Sequence, residues 1–384
     1  EDDGGALLVE KGGSAHLKET TLTRNNARGN GGAIANFGRV DVDDSDIDNN
    51  NAKENGGGIF NSGVLKVKGS RDDDGKGGRE SRISNNTAGK DGGGIANGER
   101  EEKKEHGPSA PLDKKGDRDE DRRENRAGTV EIEKTKIEGN KADKNGGGLF
   151  SSGGFVKISF SLIKDNTACE NGGGIFARNT DLSLFRVTVK NNKASKDGGG
   201  VYNVGGKEEE KKVALSDKDR ENKDRENNEE GRATIADSEI LDNTAGRFGG
   251  GIFNGKPIEE KRAVSMEADG MEIDGRKHER EERNATLTLR NTEIKGNTAG
   301  KNGGGIYNNK GEVTLTKTRV TKNTAVGGEE HDVYSADDRR DDRKKDRVAG
   351  GIFNNHGKVK LDDESTVTNN DPTNCAGTVR DCFN

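Results

Sequence analysis

Two carboxylates held a few ångströms apart can serve as an acid and a base on a glycosidic bond, and a gathered set can hold calcium. The candidates in this sequence are Asp41 with Asp43 and Glu131 with Glu133. Each pair stands two residues apart, as strand neighbours on one face do. Basic residues occupy the matching places of other segments. His16, Asp41, Lys66, Glu131 and Lys157 make one series, and Lys18, Asp43, Lys68 and Glu133 make a second. Signs alternate along both series, which suits charge pairing between adjacent strands and leaves no carboxylate cluster. No catalytic residue is therefore expected.

Other chemistry fails sooner. His16, His106, His278, His331 and His356 are scattered without metal-ligand spacing. Glycine runs here lack the Gly-Lys-Ser/Thr ending of a phosphate loop, and no Asp follows them as in calcium-binding β-rolls. Neither a metal nor a cofactor is expected. Cys375 and Cys382, in "NCAGTVRDC", are a candidate disulfide closing the end of the fold, which implies an oxidising compartment. Cys169 is left over as a free structural thiol.

The elements that would position these residues come from repetition. Gly-Gly-Gly-Ile-Phe-Asn stands at 56–61 and 249–254, with variants starting at Gly31, Gly92, Gly146, Gly172, Gly198, Gly303 and Gly350. Before the glycines comes an aliphatic residue, two variable positions and Asn: Asn25, Asn50, Asn86, Asn140, Asn166, Asn192, Asn243, Asn297, Asn323 and Asn370. Uninterrupted copies are 25 or 26 residues apart, as from Asn140 to Asn166 to Asn192. A fixed period of this size marks a solenoid. Ser or Thr stands two residues before the aliphatic anchor in nine of the ten repeats, and aliphatic pairs such as Val130 and Ile132 stand five and seven before it. Spacing by two is strand periodicity.

Each repeat therefore reads as three short strands separated by corners. The fold class expected is all-β, a single-chain parallel β-helix solenoid of about ten coils, right-handed by the crossover rule. Coils stacked roughly 4.8 Å apart place like residues above like. The Asn column is then a hydrogen-bonded structural ladder, and the glycines supply a positive-φ corner followed by a cramped inward position.

Ile-x-x-Asn-x-Ala followed by Gly-Gly-[Ala/Gly]-Ile resembles the paired FxxN and GGA[ILV] motifs of the polymorphic outer-membrane protein repeat, a right-handed parallel β-helix family. The pair recurs in every coil, although Leu, Ile or Val replaces the Phe, and no C-terminal β-barrel pattern follows. The resemblance implies a secreted or cell-surface rod, adhesin-like or structural, located outside the cell. Pectate lyases and polygalacturonases share the wider fold, so a polysaccharide lyase or glycoside hydrolase is the alternative. "RNTD" at 178–181 matches one polygalacturonase motif, but its Asp-Asp and Gly-His-Gly companions are missing.

Composition fits a solenoid. Only 26% of residues are hydrophobic and 35% are charged, a poor supply for one globular core but enough where each coil packs only on its neighbours. Charge concentrates in expected loop insertions at 70–80, 98–127, 205–232, 256–284 and 326–348, with 371–384 as a C-terminal cap of a single domain over 1–384. A net charge of −6 with interleaved signs argues against nucleic acid. No apolar run approaches the 18 residues of a membrane-spanning helix. One column remains: Phe150, Phe176, Tyr202, Phe253, Tyr307 and Phe353 each follow an inward aliphatic residue. Alternation places them on the outer face, as an apolar strip for a protein or carbohydrate ligand or for self-association.

Overall fold

The computed structural model describes residues 3–70, 77–99, 128–205, 231–258, 285–327, 348–380 and 382. Most of each expected insertion lies outside these residues. Four parallel sheets of 11, 10, 10 and 9 strands run along the stack, and consecutive strands of the chain visit them in turn. The architecture is a right-handed parallel β-helix.

The four sheets can be named by what they carry. The glycine sheet runs from Leu7–Val9 to Cys375–Gly377, and the face sheet from Ser14–Lys18 to Lys358–Leu361. The serine sheet runs from Thr21–Thr23 to Thr366–Thr368, and the corner sheet from Asn26–Ala27 to Thr324–Ala325. The corner sheet corrects the expectation of three strands per coil. Its members are two residues long, such as Thr87–Ala88 paired with Lys141–Ala142, too short for periodicity to reveal. One coil shows how the core is filled. Val130, Ile132, Ile137, Ala142 and Leu149 come from all four sheets and are 2% exposed or less. A handful of inward side chains per coil suffices, which is why the chain can be so polar.

Two corners of most coils use left-handed backbone at non-glycine residues. Glu19, Asp44, Lys134, Phe160, Arg186, Asp237, Asn291 and Lys317 have φ between 46 and 52°. Beside all of them but Arg186, which Val187 follows, a Ser or Thr repairs the corner. Ser45 Oγ donates to Asp43 O at 2.6 Å and accepts from Thr20 N at 2.9 Å. Local side-chain bonds of this kind replace the ladder bonds that a corner interrupts.

At the second corner stands the Asn ladder. Asn166 donates from N and Nδ2 to Asn192 Oδ1, at 3.0 and 2.9 Å, and Nδ2 also donates to Ile137 O at 2.9 Å. The same step repeats from Asn25 upward, and Asn374 accepts from Asn370 at the end. The glycines exist for this ladder. Gly172 and its counterpart Gly198 open their runs at φ +67 and +65°, and a Cβ on Gly173 would lie 2.5 Å from Gly199 O in the next coil. A Cβ on Gly174 would press on the Asn192 amide at 3.1 Å. The first glycine turns, the second lets backbones approach, and the third makes room for Asn.

Two further ladders escaped sequence reading. Asn36, Asn61 and Asn97 pass hydrogen bonds coil to coil at 2.7 and 2.8 Å, and Asn203, Asn254, Asn308 and Asn354 do so at 2.8 to 2.9 Å. Ser151 takes the next place and accepts from Asn97 Nδ2 at 3.1 Å, and Ala177 then breaks the column. Thr180 stands in Ala177's coil where neighbouring coils have Gly154 and Gly231. Losing the Asn side chain and gaining the Thr side chain go together. Asn203 Oδ1 is left buried without a partner among the described residues. The other ladder precedes the glycines, through Asn30, Asn55, Asp91, Asn145, Asn171 and Asp197. Cys375 and Cys382 form the expected disulfide, and Cys169 is a free, exposed thiol.

Candidate binding face

The outward positions of the face sheet carry the charge series. Strand alternation turns Val40, Val42 and their equivalents into the core, so Asp41 and Asp43 must face out. Register then aligns His16, Asp41, Lys66, Glu131 and Lys157, and beside them Lys18, Asp43, Lys68, Glu133 and Ser159. Lys66 Nζ meets Glu131 at 2.8 Å and Lys68 Nζ meets Glu133 at 3.9 Å. His16 Nε2 pairs diagonally with Asp43 at 2.8 Å, and Arg39 holds Asp41 within its own strand at 2.9 Å. These pairs are solvated, each worth about 0.2–1 kcal/mol. Together the two columns line a depression of about 470 Å³ from His16 to Ser159.

Further along the same sheet the surface changes. Ser183 follows Lys157, and Phe185 follows Ser159. Phe185 makes an edge-to-face contact with Phe160, centroids 5.6 Å apart and planes at 85°. Arg186 lies over both rings, at 5.4 Å from Phe160 and 5.3 Å from Phe185. Phe160 itself is 37% exposed. Beyond it come Thr234, Thr288 and Thr314, stacked in register without charge. No periodicity marks Phe160, because its position is polar in most other coils and is Gly69 in one. The break in that corner column was the available clue.

The aromatic column is placed differently from the expectation. Phe150, Phe176, Tyr202, Phe253, Tyr307 and Phe353 do align in register on the glycine sheet, on the side opposite its inward aliphatics. They do not form an exposed strip. Phe176, Tyr202, Phe253, Tyr307 and Phe353 are all 9% exposed or less, and Phe150 is partly buried. Stacked rings at 4.7 to 5.5 Å cover each other's faces. Val204 and Ala349 join them, with Phe248 and Ile258 packed against the cluster. Offset stacking adds about 0.5–1.5 kcal/mol per pair beyond burial. The column is a second core, so the binding role expected for it is withdrawn.

Phe248 closes this second core by displacing a ladder residue. It pairs with Asn302, in the column that Asp197 also occupies, and its ring lies tilted at 37° against Tyr307, centroids 4.5 Å apart. Arg247 beside it donates to both oxygens of Asp197, at 3.1 and 2.6 Å. Asp197 is 1% exposed. Burial pushes its carboxyl above the ordinary value, against the pull of Arg247. Burial likewise pushes the Tyr202 phenol up.

Among the described residues no group of three or more His, Cys, Asp or Glu is placed to hold a metal. Nor is any helix there long and apolar enough to cross a membrane. The sequence profile of the Chlamydia polymorphic membrane protein (Chlamydia_PMP) repeat matches residues 186–204, from the Arg186 corner through the glycine-sheet strand Val201–Val204. No curated protein and no solved structure matches the chain.

Proposed function

We propose that this protein is a non-catalytic secreted or cell-surface rod, adhesin-like or structural, which binds a protein or carbohydrate partner along the outward side of the face sheet. The observation that carries this reading is the contrast of surfaces. The glycine sheet hides its outward rings, whereas the face sheet leaves a 470 Å³ depression and an aromatic cluster open. The surface location draws on the matched repeat, whose name is that of a membrane protein. The absence of catalysis draws on the carboxylates. Each candidate in the series is paired with a basic side chain, and an acid/base pair needs two groups free to exchange protons.

The test is attachment of purified protein to host-cell or glycan-coated surfaces. A variant with Lys66, Lys68 and Lys157 changed to Glu should lose attachment while melting at the same temperature. Unchanged attachment would remove the face sheet from the reading. Turnover of a polysaccharide, abolished by Asp41→Asn or Glu131→Gln, would replace it with the enzyme alternative.

A further inference from the structure

We propose that Phe160, Phe185 and Arg186, with Lys157, Ser159 and Ser183 beside them, bind a saccharide whose terminal ring carries a single carboxylate. This deepens the reading of the face sheet as the binding surface and rests on it.

The first argument is conformational. Phe160 has φ +49°, in the left-handed region that bulky side chains seldom adopt. The other non-glycine residues with positive φ at this corner are Glu19, Asp44, Lys134, Arg186, Asp237, Asn291 and Lys317, all polar. A phenyl ring held in a strained corner and 37% exposed serves neither the core nor the corner. Strain of this kind collects where a ligand is met.

The second argument is charge. Upstream in the depression Glu131 and Glu133 are tied to Lys66 and Lys68. Lys157 and Arg186 are exposed, and neither has a carboxylate at ion-pair distance among the described residues. Two unneutralised cations therefore flank an aromatic ledge, with the Ser159 and Ser183 hydroxyls between them in register.

The occupant follows from these parts. The apolar face of a pyranose stacks on an aromatic ring, its carboxylate pairs with guanidinium or ammonium, and its hydroxyls bond to serine. Register carries the rest of such a chain from Ser159 back along the depression. There Asp41, Asp43, Glu131 and Glu133 already hold their basic neighbours, so no surplus of cations is left to match a ligand charged on every unit. Polyuronates and nucleic acids are therefore rejected, and one terminal carboxylate is accepted.

Calorimetric titration of the full chain with 3′-sialyllactose, a glucuronate-terminated disaccharide and lactose tests this. At least one carboxylated sugar should bind, and lactose should bind at least tenfold more weakly. Phe160→Asn suits the left-handed corner and so keeps the fold, yet it should weaken binding at least tenfold, as should Arg186→Ala. Lys317→Ala, at the same corner of another coil, should bind as the parent does. Absence of binding by both acidic sugars, equal binding of lactose, or full binding by Phe160→Asn would overturn the site. Preferential binding of a single-stranded oligonucleotide or an acidic peptide would overturn the saccharide assignment. Cell attachment that survives any of these failures would leave the broader reading standing.

Discussion

Two outward surfaces of the same coils carry aromatic residues, and they treat them in opposite ways. On the glycine sheet Phe253 follows inward Ile252 and is 0% exposed. On the face sheet Phe155 precedes inward Val156 and is 40% exposed. Strand alternation assigns a side of the sheet but says nothing about what lies over that side. Phe253 is covered by ring neighbours in adjacent coils and by a cluster that recruits Phe248, whereas Phe155 has Thr129 and Asp181 beside it in register. A repeated aromatic builds its own cover, and an isolated one stays available.

The comparison can be broken most sharply at the buried column. Phe253→Ala should destabilise the protein by about 3–5 kcal/mol in urea unfolding, the usual cost of emptying a ring-sized site. Phe155→Ala should cost less than about 1 kcal/mol. Next in size is the ladder. Asn166→Ala takes the acceptor from Asn140 N, takes one of the two acceptors of Asn140 Nδ2 and leaves Ile137 O without its side-chain donor, so a loss of about 3 kcal/mol is expected. Exposed Asn51, one residue past the same column, should tolerate Ala within about 0.5 kcal/mol.

A smaller effect tests the interruption at Ala177. Asn there alone should clash with Thr180, whereas Ala177→Asn with Thr180→Gly should restore the ladder and give Asn203 Oδ1 its donor. The double variant should exceed either single variant by about 1 kcal/mol in a double-mutant cycle. Additive losses would mean that the swap is coincidental.

The smallest expected effect depends on pH. Burial raises the folded-state carboxyl of Asp197 above its unfolded value, so the group favours the folded state most when protonated. Its contribution is fully present below about pH 4, the ordinary aspartate range, and is lost as pH rises through the raised folded value. Asp197→Asn fits a column that carries Asn at 145, 171 and 302. It should flatten this part of the melting-temperature profile, whereas an unchanged profile would exclude Asp197 as its source.

The coil period and the first Asn ladder were legible because Asn25 through Asn370 recur without substitution. The second ladder was hidden by Ser151 and Ala177, and the third by Asp91, Asp197 and Phe248, since a column of mixed residue types does not announce a shared bond. The corner sheet was too short to show a period. Charge pairing was legible in sign but not in geometry, since His16 reaches Asp43 across the columns and leaves Asp41 to Arg39. The hidden ring column was least legible. Its cover depends on Phe248, visible only as "RFGGG" where the next coil reads "KNGGG".

The central claim is that the glycine sheet's outward rings hold the rod together while the exposed ring of Phe160, at the corner after the face-sheet strand Phe155–Ser159, does not. Urea unfolding of Phe253→Ser and Phe160→Ser, measured side by side with the parent, tests it most directly. The account predicts a loss of at least about 3 kcal/mol for Phe253→Ser and no loss for Phe160→Ser, where a strained exposed ring is removed. Equal losses at the two sites, or a larger loss at Phe160, would contradict it.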